Sequence, residues 1–110
     1  MVDKSELLRV PVFADLPGDQ IDWFISQSQE ITVKAGETYL HQGDPADAMF
    51  VILEGQLQGR GEFGGETFFF TSKAGDIAGV LPFSRMKFYT VSGRGITDSR
   101  LLRFPVTHFP

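Results

Sequence analysis

The sequence predicts a mainly β domain, a small antiparallel barrel or jelly roll of seven or eight short strands entered through helices. Two observations support this prediction. After Gln29 the apolar residues change from the period of a helix, about 3.6 residues, to the two-residue period of a strand. Turn signals rich in glycine, aspartate and proline then recur roughly every 8–12 residues, a spacing typical of small barrels and sandwiches.

Two short helices are predicted before the strands. Leu7 and Leu8 form a first apolar pattern, which Pro11 ends. Pro17 is placed in the first turn of a second helix, where its missing N–H costs nothing, and Asp19 suits the positive end of that helix. An apolar stripe follows at helical spacing: Ile21, Phe24 and Ile25.

The rest of the chain is predicted to form strands separated by turns. The apolar run 49–53 indicates a strand that is covered on both faces. Gly64 and Gly65 predict a tight hairpin turn. The stretch 77–88, with Pro82 inside it, is expected to be irregular. The predicted strands are 31–33, 39–42, 49–53, 57–63, 66–72, 89–94 and 99–104.

Composition excludes several classes of protein. The chain of 110 residues contains no cysteine, so it has no disulfide framework and no thiolate site. No apolar run is long enough to span a membrane, and the N-terminus lacks the features of a secretory signal. The net charge of −4 and the lack of a basic helix-turn-helix argue against nucleic-acid binding. We therefore expect a cytoplasmic protein without membrane or nucleic-acid partners.

Charge is distributed unevenly along the chain. Residues 1–54 carry a balance of −7 and residues 55–110 a balance of +3. A basic C-terminal half can hold a small anion, although basic side chains on strand faces also simply keep a β domain soluble. The basic excess is concentrated in five residues, Arg85, Lys87, Arg94, Arg100 and Arg103.

Motifs of catalysis and metal binding are missing or explained otherwise. The run 59–64 matches the G-x-G-x-x-G spacing, but strand residues follow it where a dinucleotide site needs a helix, so we interpret it as part of a hairpin. His41 and His108 are the only histidines; His41 has no second ligand two residues further along its strand, and His108 lies in the C-terminal tail. No nucleophile lies in a recognisable triad motif. We predict neither an enzyme nor a metal site.

The segment that begins at Gly75 is the strongest candidate for a binding site. We interpret the run 75–79, Gly-Asp-Ile-Ala-Gly, as the start of a short helix whose backbone N–H groups attract phosphate. Arg85 follows ten residues after Gly75, with a planar guanidinium suited to bidentate phosphate contacts. Asp76 can accept hydrogen bonds from a sugar. This chemistry fits a ribose phosphate.

Several motifs, in this order and at these spacings, resemble the cyclic nucleotide-binding domain of the catabolite-activator and protein-kinase-regulatory superfamily. The resemblance covers nearly the whole chain. The sequence around Arg85 and Met86 looks most like that of the N-terminal sensor domains of bacterial histidine kinases. The matching runs are Pro-Val-Phe-Ala-Asp-Leu at 11–16, Lys-Ala-Gly-Glu at 34–37, His-Gln-Gly-Asp-Pro-Ala-Asp at 41–47, Phe-Val-Ile-Leu-Glu-Gly at 50–55 and Ala-Gly-Asp-Ile-Ala-Gly at 74–79.

The resemblance implies an eight-stranded antiparallel β-barrel of jelly-roll type with short flanking helices. It also implies a phosphate-binding cassette, in which Arg85 binds the cyclic phosphate and Asp76 occupies the position of a ribose-binding glutamate. The expected ligand is cAMP or cGMP, with no other cofactor. The expected site residues are Gly75, Asp76, Ile77, Ala78, Arg85 and Met86.

Residues 1–110 are expected to form one regulatory domain, a fragment that lacks the C-terminal lid helices of the family. The resemblance implies an effector domain in the same chain, such as a histidine kinase. The sequence leaves the oligomeric state open, with a homodimer as one alternative. A second interpretation stays open because bulky residues follow Arg85 where the family has small ones. The domain would then be a degenerate barrel that binds no nucleotide and acts in interaction or dimerisation, through an exposed patch of Phe83, Met86, Phe88 and Tyr89.

Overall fold

The computed structural model describes residues 4–80 and 85–108. Helix α1 spans Lys4–Leu8, a 3₁₀ turn spans Pro11–Phe13, and helix α2 spans Gly18–Ser26. Both predicted helices are therefore confirmed. The apolar stripe of α2 faces inward, with Ile21 and Phe24 buried and Ile25 half-buried. None of the helices in the described ranges is long and apolar enough to cross a membrane.

Eight strands in the described residues form two antiparallel sheets of four strands each, which confirms the mainly β fold. The order is β1-β8-β3-β6 in one sheet and β2-β7-β4-β5 in the other. The barrel is not closed by a continuous ladder, so each sheet keeps edge strands. The strands are β1 Gln29–Val33, β2 Thr38–Leu40, β3 Ala48–Glu54, β4 Gln56–Phe63, β5 Glu66–Lys73, β6 Ile77–Gly79, β7 Val91–Gly95 and β8 Ser99–Pro105.

The β4–β5 hairpin forms as predicted around Gly64 and Gly65. Their φ angles of 61° and 82° are the left-handed values that a two-residue hairpin turn requires. Two glycines of the G-x-G-x-x-G run, Gly59 and Gly61, lie on β4 opposite aromatic residues of β5. A Cβ atom at Gly59 would lie 2.1 Å from the ring of Phe70. These glycines therefore make room for phenylalanine rings within a sheet, as the hairpin interpretation requires.

Strand β3 lies at the centre of the core, with residues of both its faces buried. Val51 faces α1 and α2, whereas Phe50 and Ile52 face the opposite sheet. The predicted run 49–53 is thus covered on both faces, with only Leu53 half-buried. Under the helices, Phe104 of β8 stacks on Phe24 with ring centroids 4.6 Å apart.

A group of ion pairs links α1 to the sheet that contains β1, β8, β3 and β6. The Arg100 guanidinium on β8 donates to Glu6 of α1 at 2.8 Å and also to Glu30 and Glu54. These carboxylates, with Glu6 contributing most, hold the pKa of Arg100 above its usual value. Because Glu6, Glu30 and Glu54 belong to three different elements, the group joins the N-terminal helix to β1 and β3.

Two predictions of local structure were wrong. Residues 77–79 form strand β6, although the stretch 77–88 was expected to be irregular and 75–79 to begin a helix. Pairing with β3 decides the conformation, because the Val80 N–H donates to the Ala48 carbonyl at 3.0 Å. The strands expected at 39–42 and 89–94 are shifted to Thr38–Leu40 and Val91–Gly95. Tyr89 lies before β7, and its backbone bonds to the loop before β3: its N–H donates to the Asp44 carbonyl, and its carbonyl accepts from the Gly43 N–H.

Candidate functional site

A cavity of about 270 Å³ opens between the two sheets, bounded on one side by β6 and on the other by β7 and the segment before it. Its volume is near the lower end of the range for small-ligand pockets, about 300–1,000 Å³. Three of the predicted site residues line it. The lining residues are Tyr39, Leu40, Gly59, Phe70, Ser72, Ile77, Ala78, Gly79, Met86, Tyr89, Thr90, Val91, Ser92 and Gly93.

Strand β6 forms one wall of the cavity and is an edge strand. Hydrogen bonds link Val80 to Ala48 and Asp76 to Ile52, on either side of the paired residues Ala78 and Phe50. The alternation of an antiparallel ladder therefore directs the Ala78 N–H towards β3 and the Ile77 N–H towards the open edge. Of these two backbone donors, only the Ile77 N–H points away from β3.

The turn before β6 holds Asp76 in place. The Asp76 Oδ2 atom accepts a hydrogen bond from the Lys73 N–H at 2.9 Å, and the Asp76 N–H donates to the Lys73 carbonyl. Gly75 has a φ of 98°, which a residue with a side chain rarely adopts. Gly75 and Asp76 do not line the cavity; they directly precede Ile77, which does.

Arg85 and Met86 follow the undescribed residues 81–84. Met86 is half-buried and lines the cavity, whereas Arg85 is exposed and does not. Within residues 4–80 and 85–108, Arg85 makes no ion pair. By contrast, Arg100 binds three glutamates, and Arg103 lies 3.4 Å from Asp47. The basic half of the chain therefore contains paired cations on β8 and several exposed cations, of which Arg85 is next in sequence to a residue that lines the cavity.

Tyr89 is buried in the cavity floor, which corrects the expected exposed patch. Its hydroxyl donates to Asp47 Oδ1 at 2.8 Å and accepts from the Ala48 N–H at 3.1 Å. Met86 is half-buried and Phe88 is exposed, and Phe83 lies outside the described residues. The four side chains therefore do not form the predicted exposed patch together, because Tyr89 is buried and its hydroxyl is hydrogen-bonded inside the protein.

The raised pKa values of the two cavity tyrosines, Tyr39 and Tyr89, predict a loss of stability at alkaline pH. Burial, with a smaller contribution from Tyr89, raises the pKa of Tyr39 to about 12. In the unfolded chain the tyrosine pKa is about 10. The stabilisation that Tyr39 contributes is therefore complete below pH 10 and is lost as the pH rises towards 12, at up to about 1.4 kcal/mol per pH unit.

Urea unfolding at a series of pH values measures this effect. We expect the free energy of unfolding to fall less steeply between pH 10 and 12 for Tyr39→Phe than for the unaltered protein. The two tyrosines are the only ones in the chain, so the comparison isolates one phenol. Equal slopes would show that Tyr39 ionises as freely in the folded state as in the unfolded state.

Polar cavity residues outside the cassette were missed by the sequence analysis. Ser72 is buried on β5, Thr90 lies at the start of the β7 wall, and Ser92 accepts a hydrogen bond from the Gln42 N–H. The sequence contains part of the information needed to find these residues. Side chains alternate along a strand, so Phe70 and Ser72 must point to the same face of β5. Which face covers a cavity depends on the second sheet, and no local pattern reports that.

The histidines have ordinary structural surroundings. His41 lies 3.6 Å from Asp44 in an exposed turn, and His108 Nδ1 lies 2.8 Å from the Gln27 carbonyl oxygen. In the part of the chain that the structure describes, no group of three or more histidine, aspartate or glutamate side chains is arranged to hold a metal ion.

Comparison of the sequence with protein families gives one match. The model of the cyclic nucleotide-binding domain matches residues 30–110, which include every strand except the first residue of β1, the cavity and the segment around Arg85. The chain belongs to the cyclic nucleotide-binding domain family. Domains of this family are regulatory rather than catalytic. No curated protein matches the chain in a search by sequence.

Solved structures share the fold of this cyclic nucleotide-binding domain at low sequence identity. A putative cyclic nucleotide-binding protein from Ruegeria pomeroyi is 21% identical, with a TM-score of 0.78 over 96% of this chain and 48% of its own. The guanosine-bound regulatory subunit of a cAMP-independent protein kinase A from Trypanosoma cruzi is 20% identical, with a TM-score of 0.86 over 96% and 38%.

A third similar structure is the sensor domain of the transcriptional regulator DNR from Pseudomonas aeruginosa. It is 17% identical, with a TM-score of 0.79 over 96% of this chain and 73% of its own. The chain spans about half the length of the Ruegeria protein and about two fifths of the Trypanosoma subunit. The match therefore covers only part of these longer chains.

Proposed function

We propose that this domain is a regulatory sensor that binds a cyclic nucleotide, cAMP or cGMP, in the cavity between β6 and β7. The observation that carries the proposal is the position of Arg85. It is an exposed cation, unpaired within the described residues, and its neighbour Met86 lines a cavity inside the family-matched region. A guanidinium in this position can bind the cyclic phosphate through two parallel hydrogen bonds.

The remaining cassette residues have complementary proposed roles. The Ile77 N–H points to the open edge of β6 and supplies a backbone donor, while Ala78 is small and leaves space in the cavity wall. One oxygen of Asp76 is bonded to Lys73, and its second oxygen accepts from the ribose. Met86 packs against the base or sugar. Gly75 allows the turn that brings these groups together.

The domain transmits binding to an effector in the same chain. We infer a cytoplasmic bacterial signalling protein, such as a histidine kinase, in which residues 1–110 are one unit and lid helices follow them. Similar solved chains are longer than this one, which supports an attached effector. The ion pair between Glu6 and Arg100 joins α1 to β8, so a shift of the sheet on binding changes the position of the helix.

Isothermal titration with cAMP and with cGMP tests this proposal. A charge-assisted hydrogen bond is worth about 1.5–3 kcal/mol, so Arg85→Ala should weaken binding about ten- to hundred-fold. Arg94→Ala is the matched control, because Arg94 is an exposed cation on β7 that does not line the cavity. Its affinity should stay close to that of the unaltered protein.

Two results would contradict the proposal. Equal losses in the two variants would mean that binding is a general charge effect. No heat with either nucleotide at millimolar concentration would favour the alternative of a degenerate barrel that acts in protein interaction.

A further inference from the structure

The outer edge of the β4–β5 hairpin has no strand beside it. β5 pairs with β4 through all of its eight residues and is the last strand of its sheet in the described residues. On β4, the Gln56 carbonyl accepts from the Ile96 N–H on the side of β7. Because hydrogen bonding alternates along a strand, Leu57 and every second residue after it bond to β5.

This alternation of hydrogen bonds along β4 determines which backbone groups of β5 face the open edge. Residues 66, 68, 70 and 72 pair with β4, so Thr67, Phe69 and Thr71 direct their N–H and C=O groups to the open edge. The next outward N–H, that of Lys73, already donates to Asp76. Within residues 4–80 and 85–108, the backbone groups of Thr67, Phe69 and Thr71 have no partner.

The side chains of this edge are apolar and exposed. Phe68, Phe69 and Phe70 are 44%, 59% and 41% exposed, and the rings of Phe68 and Phe70 stack on one face with centroids 6.3 Å apart. The strand has no proline, and its charged residues, Glu66 and Lys73, lie only at its ends. It therefore lacks the features by which edge strands usually avoid pairing.

We propose that β5 pairs antiparallel with β5 of a second copy of this chain, with Phe69 opposite the partner's Phe69. In an antiparallel pair, the side chains of two directly opposed residues point to the same face of the sheet. Two identical strands related by a two-fold axis normal to the sheet can meet this condition only if one residue lies directly opposite the same residue of the partner. Centred on Phe69, the register places Phe68 opposite the partner's Phe70 and Thr67 opposite the partner's Thr71.

This register uses every free group of the edge. The outward N–H and C=O groups of Thr67, Phe69 and Thr71 all find partners, and the three aromatic residues meet aromatic residues. The strand end with Glu66 runs beside the partner's end with Lys73, so the charges are complementary. The other edge of the sheet, β2, has three residues and a register shift, so the assembly closes as a dimer.

Sedimentation of the whole chain over a range of concentrations tests the pairing. We expect a species of twice 12.2 kDa and none larger. Phe69→Lys places two cations opposite each other and should raise the dissociation constant at least about 100-fold. Phe63→Lys is the matched control: Phe63 is 83% exposed at the hairpin tip, outside the proposed pairing, and its dimer should persist.

Three results would overturn the proposal: a monomer at millimolar concentration, species larger than a dimer, or equal dissociation by the two substitutions. Amide hydrogen exchange measured by NMR tests the register without a substitution. In the dimer the amides of Thr67, Phe69 and Thr71 should be protected, and dilution should release them, whereas those of Phe68 and Phe70 stay protected by β4. Rapid exchange at 67, 69 and 71 in a dimer would place the interface elsewhere. Neither measurement depends on nucleotide binding.

Discussion

Gly79→Ala is expected to lower the free energy of unfolding by about 2–5 kcal/mol. Gly79 ends β6 with a φ of 80°, and a non-glycine residue in this left-handed region costs about 1–2 kcal/mol. The added Cβ would also lie 2.5 Å from the Ala48 carbonyl oxygen and 2.9 Å from the Phe50 ring. Such overpacking adds about 1–3 kcal/mol, since the oxygen belongs to the backbone of β3. Urea unfolding measures the loss.

Gly36→Ala is the control for the backbone contribution alone. Gly36 has a φ of 83°, and nothing lies within 4 Å of its added Cβ. Its loss should be limited to about 1–2 kcal/mol. If the two variants lost the same stability, the close contact between β6 and β3 would contribute nothing, and the described wall of the cavity would be wrong.

Phe104→Ala is expected to cost about 3–5 kcal/mol of stability, the usual loss for a buried phenylalanine. Phe104 is 1% exposed, and its ring stacks on Phe24 at an interplanar angle of 2°. Its removal leaves a cavity between α2 and β8, in the cluster of buried residues that joins the helices to the first sheet.

Trp23→Ala is the matched control because Trp23 also contacts Phe104, with ring centroids 5.8 Å apart. Trp23 is 45% exposed, so the same truncation removes less buried surface and should cost less than about 2 kcal/mol. Thermal unfolding followed by circular dichroism compares the two. An equal or larger loss for Trp23→Ala would mean that the outer surface of α2 is the main contact of the helices.

Patterns within a few residues predicted most of the fold. The apolar run 49–53 predicted a strand buried on both faces, and the pair Gly64-Gly65 predicted the hairpin, because both depend on local spacing and on φ. The runs shared with the family, from 34–37 to 74–79, predicted the architecture and the region of the cavity. Ile77, Ala78 and Met86 were predicted as site residues and line that cavity.

Strand β6 and the place of Tyr89 could not be predicted in this way. Three residues carry too little periodicity to mark a strand, and β6 exists because Val80 and Asp76 pair with residues of β3 more than 20 positions earlier. Tyr89 looked like an exposed aromatic residue in sequence. Its burial depends on Asp47 and Ala48, which the fold brings to its hydroxyl from 41–42 positions away.

The most direct test of the central claim is a two-dimensional ¹H–¹⁵N NMR titration with cAMP and cGMP. We predict shifts for the amides of Ile77 and Ala78 on β6, for those of Thr90–Gly93 on the opposite wall, and for the Arg85 side chain. Residues that neither line the cavity nor belong to the helices, such as Phe63 at the hairpin tip, should not shift. The absence of shifts at millimolar nucleotide, or shifts confined to α2, would contradict the assignment of this cavity as the nucleotide site.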